Sequence, residues 1–424
     1  MRPVEYEAAL RTHTYDTALS EIYPDVTMAR VRIQDALVAF ARHFSDLAGD
    51  EAYILSAPGR TEVSGNHTDY NHGAVLAAAI NLDMLAVAAP TNNDAVMIYS
   101  EGFGVIAASL ADLSVRDEEK GTPAALVRGV AADLKARSYA VGGFCAYITS
   151  DVLRGSGLSS SAAFEMLLAA ICSHLYNGGR VSGKQAAFAG KHAENVYFGK
   201  PCGLMDQMAC SMGGFVKMDF RDPEAPIVTS IPAIPHGYAL CIVDTRGDHA
   251  GLTEEYAAAS RETASVAAFL GRSNLRELDA STLFENALRV RQACGDRAFL
   301  RAAHFFFDNE RVFKQADSLL RNDIQTFLAL VNESGRSSFM YLQNVYTNRH
   351  PHMQPVSLAL CMSDYLLNGH GAFRVHGGGF AGTIQAWVPQ PMLEAYRKGM
   401  DGVFGKGSCA VLSIRKQGIM RLLV

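Results

Sequence analysis

The stretch Leu153-Arg154-Gly155-Ser156-Gly157-Leu158-Ser159-Ser160-Ser161-Ala162-Ala163 restricts the fold more than any other part of the chain. Before it, Gly143 to Ser150 alternates like a strand; after it, Ser160 to Tyr176 is a strongly apolar helix. A strand is thus handed to a buried helix through a bend of glycines and serines. Glycines let a backbone approach a ligand closely, and the free N–H groups and dipole of a helix N-terminus favour an anion. Serine hydroxyls add donors or hold a metal. The order strand, glycines, apolar helix points to a phosphate cradle made of Gly155, Ser156, Gly157, Leu158, Ser159, Ser160 and Ser161. The blander alternative is a flexible turn that ends in a serine N-cap. The stretch is not a P-loop, since no Lys-Ser/Thr pair follows, and it lacks the third glycine of a dinucleotide fingerprint.

Two further segments concentrate polar groups. Ala57-Pro58-Gly59-Arg60-Thr61-Glu62-Val63-Ser64-Gly65-Asn66-His67-Thr68-Asp69-Tyr70-Asn71 packs donors and acceptors around one fixed cation. Such an array suits a polyhydroxylated ligand, and equally an ordinary polar turn in which His67 and Asp69 bond their own backbone. In Gly199-Lys200-Pro201-Cys202-Gly203-Leu204-Met205-Asp206-Gln207-Met208, Asp206 lies just past a Pro/Gly turn, where the default role is a helix N-cap. Glu194, on the helix expected from Lys184 to Phe198, is by default a solvated surface charge.

A chain of 424 residues is long for one core and suits two domains. Strands and helices follow one another irregularly, which favours α+β over a doubly wound sheet. Pro223, Pro226, Pro232 and Pro235 mark a connection, so we expect one domain over 1–230 and a second over 231–424, with a C-terminal strand free to return to the first. Ala52 to Ala57 reads as a strand leading into polar turns, Pro58 to Gly73. Val75 to Ala89 and Val96 to Ser100 read as strands of a hairpin joined through Pro90-Thr91-Asn92-Asn93-Asp94. Helices are expected near 28–48, 124–136, 205–212, 254–270, 280–292, 309–320, 322–334 and 354–367, and strands near 238–244, 372–376, 382–388 and 409–414.

The net charge is −5 and no run of Lys/Arg stands out, which argues against nucleic acid as a partner. The most apolar segment, Ala74 to Pro90, is interrupted by Asn81 and Asp83 and is too short to span a bilayer. The eight cysteines form no CxxC pair, so no zinc or redox motif is signalled. With no apolar stretch at the N-terminus, the expectation is a cytoplasmic protein with reduced thiols, acting as a monomer or weak oligomer without a membrane partner.

Taken together, these segments resemble the GHMP kinase superfamily and, within it, the galactokinases. Arg60 to Asn71 is similar to the signature around GRVNLIGEHTDYN, Gly155 to Ala163 to the phosphate loop GSGLSSSAA, and Cys202 to Gln207 to CGIMDQ. His376-Gly377-Gly378-Gly379-Phe380-Ala381-Gly382 is similar to a third motif, TGGGFGG. The order and spacing agree as well. The resemblance implies a two-domain GHMP kinase fold, with a ribosomal-protein-S5-domain-2-like N-terminal domain and a ferredoxin-like C-terminal domain. It also implies a kinase that uses ATP and Mg²⁺ to phosphorylate galactose at its C1 hydroxyl. Asp206 matches the active-site aspartate and Arg60 the arginine beside it. Ser161 and Glu194 match the residues that hold Mg²⁺. His67, Asp69, Gly203 and Tyr256 match sugar contacts, and Asn66 occupies the position of a glutamate that faces the hexose.

The chain departs from these patterns. The usual Glu before His-Thr-Asp is Asn66, and the usual Asn two residues after the Arg is Glu62. Ala381 replaces a glycine and His376 a small polar residue. Two rivals follow: a GHMP kinase for another substrate, such as N-acetylgalactosamine, and a catalytically silent sensor of sugar and ATP. The His67-Thr68-Asp69-Tyr70 motif argues against an isoprenoid precursor, and the presence of Asp206, Arg60 and the serine loop argues against a silent sensor.

Overall fold

Apolar side chains run almost without interruption from Ala74 to Pro90, and this strand is buried on both faces at the centre of the molecule. The computed structural model describes the chain except residues 48, 153–156, 234, 248–251, 381 and 424. Strands are numbered in chain order: β1 (Tyr53–Ser64), β2 (Ala74–Pro90), β3 (Ala95–Ser100), β4 (Gly104–Ser109), β5 (Phe144–Ser150), β6 (Phe215–Asp219), β7 (Ile227–Ile231), β8 (Tyr238–Asp244), β9 (Ala372–His376), β10 (Thr383–Pro389), β11 (Cys409–Leu412) and β12 (Met420–Leu422). Among the described residues a first sheet runs β12-β1-β2-β5-β3-β4, with β6 and β7 added along the first half of β2. A second, antiparallel sheet runs β11-β8-β10-β9. The architecture is α+β.

The two-residue period of β2 divides its side chains between two cores. Leu85, Val87 and Ala89 pack with Leu37 and Phe40 of the helix Val26–His43. Met84, Ala86 and Ala88 face the larger core, which holds the apolar helix Ser160–Tyr176. That larger core also takes in Trp387 of β10 and Phe327 of the helix Ile324–Ser337, stacked around Phe215 of β6. Side chains from both sheets thus share one apolar interior. The chain end returns to the first sheet: Ile54, Leu55 and Ser56 of β1 pair with Leu422, Arg421 and Met420 of β12.

Two sequence expectations about strands are corrected. β1 does not stop at Ala57. It continues to Ser64, with register shifts between Pro58 and Arg60 and between Glu62 and Ser64, so Arg60 and Glu62 sit on a strand rather than in a turn. Bulges of this kind re-aim side chains near functional sites. Nor do β2 and β3 form a hairpin. β5 lies between them, antiparallel to β2 and parallel to β3. The connecting residues clasp the start of β5 through Thr91 N to Gly143 O at 2.9 Å and Gly143 N to Asn93 O at 3.1 Å. A Cβ at position 143 would collide with the Asn93 and Ala95 carbonyls, so only glycine fits this clasp.

The helix Ser160–Tyr176 agrees with its expected bounds. The helix expected over 309–320 starts at Asp296 and runs to Leu320, and the one expected over 280–292 breaks at Asn286. The helix that starts at Gly183 ends in a π-helical turn, Ala193–Phe198, which carries Glu194. No helix among the described residues is long and apolar enough to cross a membrane.

Candidate active site

Three elements bring the chemistry together: the bulged part of β1, the N-terminus of the helix Ser160–Tyr176, and the first turn of the helix Met205–Met212. The Arg60 guanidinium reaches from β1 to Asp206 through Nε at 2.8 Å and Nη2 at 2.6 Å, both on Oδ1. Its Nη1 donates to the Gly157 carbonyl, and its backbone N–H donates to Leu158 O at 3.2 Å. Ser159 Oγ donates to the other oxygen of Asp206. Burial works against the Arg60 charge, and the Asp206 carboxylate more than offsets it, so the guanidinium pKa stands above its ordinary value. The Arg60 side chain is 8% exposed and that of Asp206 34%, which leaves the carboxylate open to an incoming group.

This geometry decides between readings that the residues alone left open. Ser159 occupies the N-cap position but does not cap the helix with its side chain: it sits in the left-handed region at φ 56° and spends its hydroxyl on Asp206. Asp206 is not an N-cap, since that position is Leu204. Glu194 is buried rather than solvated. Of the glycine–serine bend, Gly157, Leu158 and Ser159 bond Arg60 or Asp206, and Ser161 is exposed on the first helical turn. Gly155 and Ser156 lie outside the described residues.

Glu194 Oε1 accepts from Lys200 Nζ at 2.9 Å and its Oε2 from Gln207 Nε2 at 3.0 Å. The same Gln207 nitrogen donates to Glu165 Oε2 at 3.0 Å. Glu165 follows Ser161 by one helical turn, is fully buried, and has an Oε1 without a partner. Burial, and then the neighbouring Glu194 charge, push the Glu165 carboxyl well above the usual range. No cluster of three or more His, Cys, Asp or Glu ligands occurs among the described residues. A serine hydroxyl such as that of Ser161 and a carboxylate such as that of Glu194 are the kinds of oxygen donor that suit Mg²⁺, which takes its remaining oxygens from water and phosphate.

The candidate sugar residues meet the third motif. His67 Nε2 lies 3.0 Å from Gly378 O, Asn66 Nδ2 donates to Gly377 O at 2.8 Å, and Tyr256 OH to Gly379 O at 3.0 Å. The Tyr256 ring lies where a Cβ on Gly378 would be, and a Cβ on Gly203 would stand 3.0 Å from Asp69 Oδ2. Burial raises the Asp69 pKa; His67 opposes this, while the Glu62 and Asp206 charges add to it. His376 bridges Thr61 Oγ1 and Thr383 Oγ1, each at 3.0 Å, and so ties β9 to β1 next to Gly157.

Sequence reasoning missed the groups that hold this assembly. Asp308 Oδ2, on the helix Asp296–Leu320, accepts from the backbone N–H of Gly65 at 3.1 Å and of Asn66 at 3.0 Å. His304 on the same helix bonds Asn66 O at 2.9 Å. Arg374 of β9 bonds Val63 O at 2.8 Å and Glu62 Oε1 at 3.1 Å. These residues lie hundreds of positions from the loop they pin, and no local pattern marks them. Gln207 and Glu165 stand inside or beside quoted motifs and were within reach.

Two family models match the chain: the galactokinase galactose-binding signature over residues 39–90, and the GHMP kinases N terminal domain over residues 125–214. The galactokinase of Glaesserella parasuis serovar 5 (strain SH0165) is 30% identical over 366 residues, covering 85% of this chain and 90% of that protein. A galactokinase of Actinobacillus pleuropneumoniae is 31% identical over 371 residues, covering 84% and 90%. Among solved structures, Lactococcus lactis galactokinase complexed with galactose superposes with a TM-score of 0.75 at 24% identity, covering 91% of this chain and 100% of that one. With the fold, the Arg60–Asp206 pair and these relatives in agreement, the chain belongs to the galactokinase family of GHMP kinases.

Proposed function

We propose that this protein transfers the γ-phosphoryl group of ATP to the C1 hydroxyl of galactose, giving galactose 1-phosphate and ADP. One observation carries the reading: Arg60 joins the carboxylate of Asp206 to the carbonyl of Gly157, so acceptor and phosphate sites share one side chain. The galactokinase relatives and the galactose complex of the Lactococcus lactis protein support the choice of sugar.

Phosphoryl transfer depends on alignment and charge more than on covalent chemistry. The bend and helix N-terminus cradle the ATP phosphates. A cavity of about 260 Å³ opens beside Ser160 and Ser161 between Phe103, Ile106, Leu126 and Phe164, and its apolar walls suit the adenine ring. Ser161 and Glu194 would hold Mg²⁺, which would supply positive charge to offset that of the phosphates. Asp206 orients the C1 hydroxyl and accepts its proton on the open side of the carboxylate. Arg60 holds Asp206 in place and faces the transferring phosphoryl. His67, Asp69, Gly203 and Tyr256 line the sugar.

The test is ADP release with ATP, Mg²⁺ and a panel of hexoses, with the phosphorylated carbon read by NMR. Galactose should give the highest kcat/KM and a 1-phosphate product. No ADP release above the sugar-free rate with any hexose refutes the kinase reading. Preference for N-acetylgalactosamine, the second reading raised by Glu62 and Asn66, changes the substrate and leaves the reaction standing.

A further inference from the structure

We propose that Glu62, rather than Asn66, supplies the side chain that reads a sugar hydroxyl in this site and sets which sugars are accepted. The proposal rests on the sugar-kinase reading above.

The amide of Asn66 has no bond left to offer. Its Nδ2 donates to Glu62 Oε1 at 2.9 Å and to Gly377 O at 2.8 Å. Its Oδ1 accepts from Asn344 Nδ2 at 2.7 Å and from Ser338 Oγ at 3.4 Å. A primary amide has two donor hydrogens and two acceptor lone pairs, and all four are used here. The residue is fully buried. To meet a sugar it would have to break contacts with three separate elements.

Glu62 is also buried, its side chain 8% exposed, but its hydrogen-bonding capacity is not filled. Its Oε1 is held from two sides, by Asn66 Nδ2 and by Arg374 Nη2 at 3.1 Å. Arg374 is itself fully buried and anchored on Val63 O at 2.8 Å. The Oε2 takes no bond from any described residue, and it is not among the side-chain atoms sealed from solvent without a partner. One oxygen is therefore pinned and the other offered. Position matters as much: Glu62 follows Arg60 by two residues on β1. Arg60 bonds Asp206, so the strand that carries Glu62 also carries the cation of the site, and the charge of Glu62 acts on both Arg60 and Asp69. A carboxylate fixed by a buried guanidinium and an amide loses little freedom on binding, which is what an orienting group needs. The residues at 62 and 66 thus divide the work: the amide locks the loop, and the anion faces the ligand.

The experiment compares wild type, Glu62→Gln, Glu62→Asp and the double exchange Glu62→Asn with Asn66→Glu. Each is assayed for ADP release with galactose and with its monodeoxy analogues, with KM for ATP and thermal unfolding measured in parallel. A hydrogen bond to a charged group accounts for about ten- to hundredfold in affinity. We expect Glu62→Gln to raise the sugar KM by about that factor with the ATP KM and Tm near wild type. One deoxy analogue that wild type discriminates against should lose its disadvantage in Glu62→Gln, which identifies the hydroxyl. Glu62→Asp keeps the charge opposite Arg374 but withdraws the oxygen, so it should show the same selective rise and serves if Glu62→Gln does not fold. The double exchange, which moves the carboxylate to position 66, should alter the ranking of the analogues. An unchanged sugar KM overturns the proposal, as do deoxy penalties identical to wild type or a parallel loss in sugar KM, ATP KM and Tm. That last pattern would make Glu62 a strut for Arg374. Wild type silent with every hexose would instead refute the kinase reading on which this rests.

Discussion

At the scale of single residues, the site is organised by one guanidinium. Arg60 gives Nε and Nη2 to Asp206 Oδ1 and Nη1 to Gly157 O, a fork that an ammonium cannot reproduce. Arg60→Lys should therefore keep the charge and lose the geometry, lowering kcat by about 10²- to 10³-fold, the cost of one preorganised donor in a transition state. Asp206→Asn should lower kcat by about 10²- to 10⁴-fold, the usual cost of a lost acid–base group, while galactose binding measured by calorimetry survives. Near-wild-type turnover in Asp206→Asn would remove the aspartate from the mechanism.

At the scale of elements, the helix Asp296–Leu320 acts as the back wall of the loop at Gly65 and Asn66. Asp308 takes the backbone N–H groups of Gly65 and Asn66 on Oδ2 and Arg311 Nη1 on Oδ1 at 2.6 Å. Burial alone would raise its pKa; His304, Arg311 and Arg374 outweigh burial and hold it below the ordinary carboxylate range. Breaking such a buried arrangement costs about 3–5 kcal/mol. Asp308→Ala should lower the urea midpoint accordingly and raise the sugar KM more than the ATP KM, because the loop it releases carries Asn66 and His67. A stable variant with an unchanged sugar KM would show that the loop holds its shape without this helix.

At the scale of the whole molecule, Asp83 ties both chain ends to the central sheet. The fully buried carboxylate accepts from Tyr23 OH at 2.6 Å, Arg32 Nη1 at 2.6 Å and Arg415 Nη1 at 3.0 Å, and also from Ser56 Oγ. Burial would raise its pKa, but Arg32 and Arg415 prevail and keep it low. A carboxyl whose folded pKa is depressed contributes stability that is present above its unfolded value, about 3.9, and lost as pH falls through the folded value. Asp83→Asn should therefore be destabilised at neutral pH, and its stability should depend less on pH below about 4 than that of wild type. Parallel acid unfolding curves for the two proteins would contradict this. Removal of residues 415–424 should destabilise in the same manner, since it takes away both Arg415 and β12.

What was legible in the chain was local. The bend before Ser160 and the helix after it follow from glycine's freedom and the apolar run, and the ordered motifs pointed to the family. The second-sheet strands were placed closely because each is a short run of β-forming residues bounded by turns. Legibility failed where partners are remote. That β5 enters between β2 and β3 depends on which edges meet, and a good turn sequence at Pro90 to Asp94 says nothing of that. Polar residues in Pro58 to Ser64 looked like a turn because their partners, Arg374, His376 and Asp206, come from elsewhere in the chain. The same reason separates Glu62 from Asn66. Their exchange of residue type is visible in the sequence, but only the folded arrangement, through Asn344, Ser338 and Gly377, decides that the amide of Asn66 is used up while Glu62 keeps an oxygen without a partner among the described residues. Hydrogen-bond capacity is local chemistry; whether it is already filled is settled by tertiary contacts.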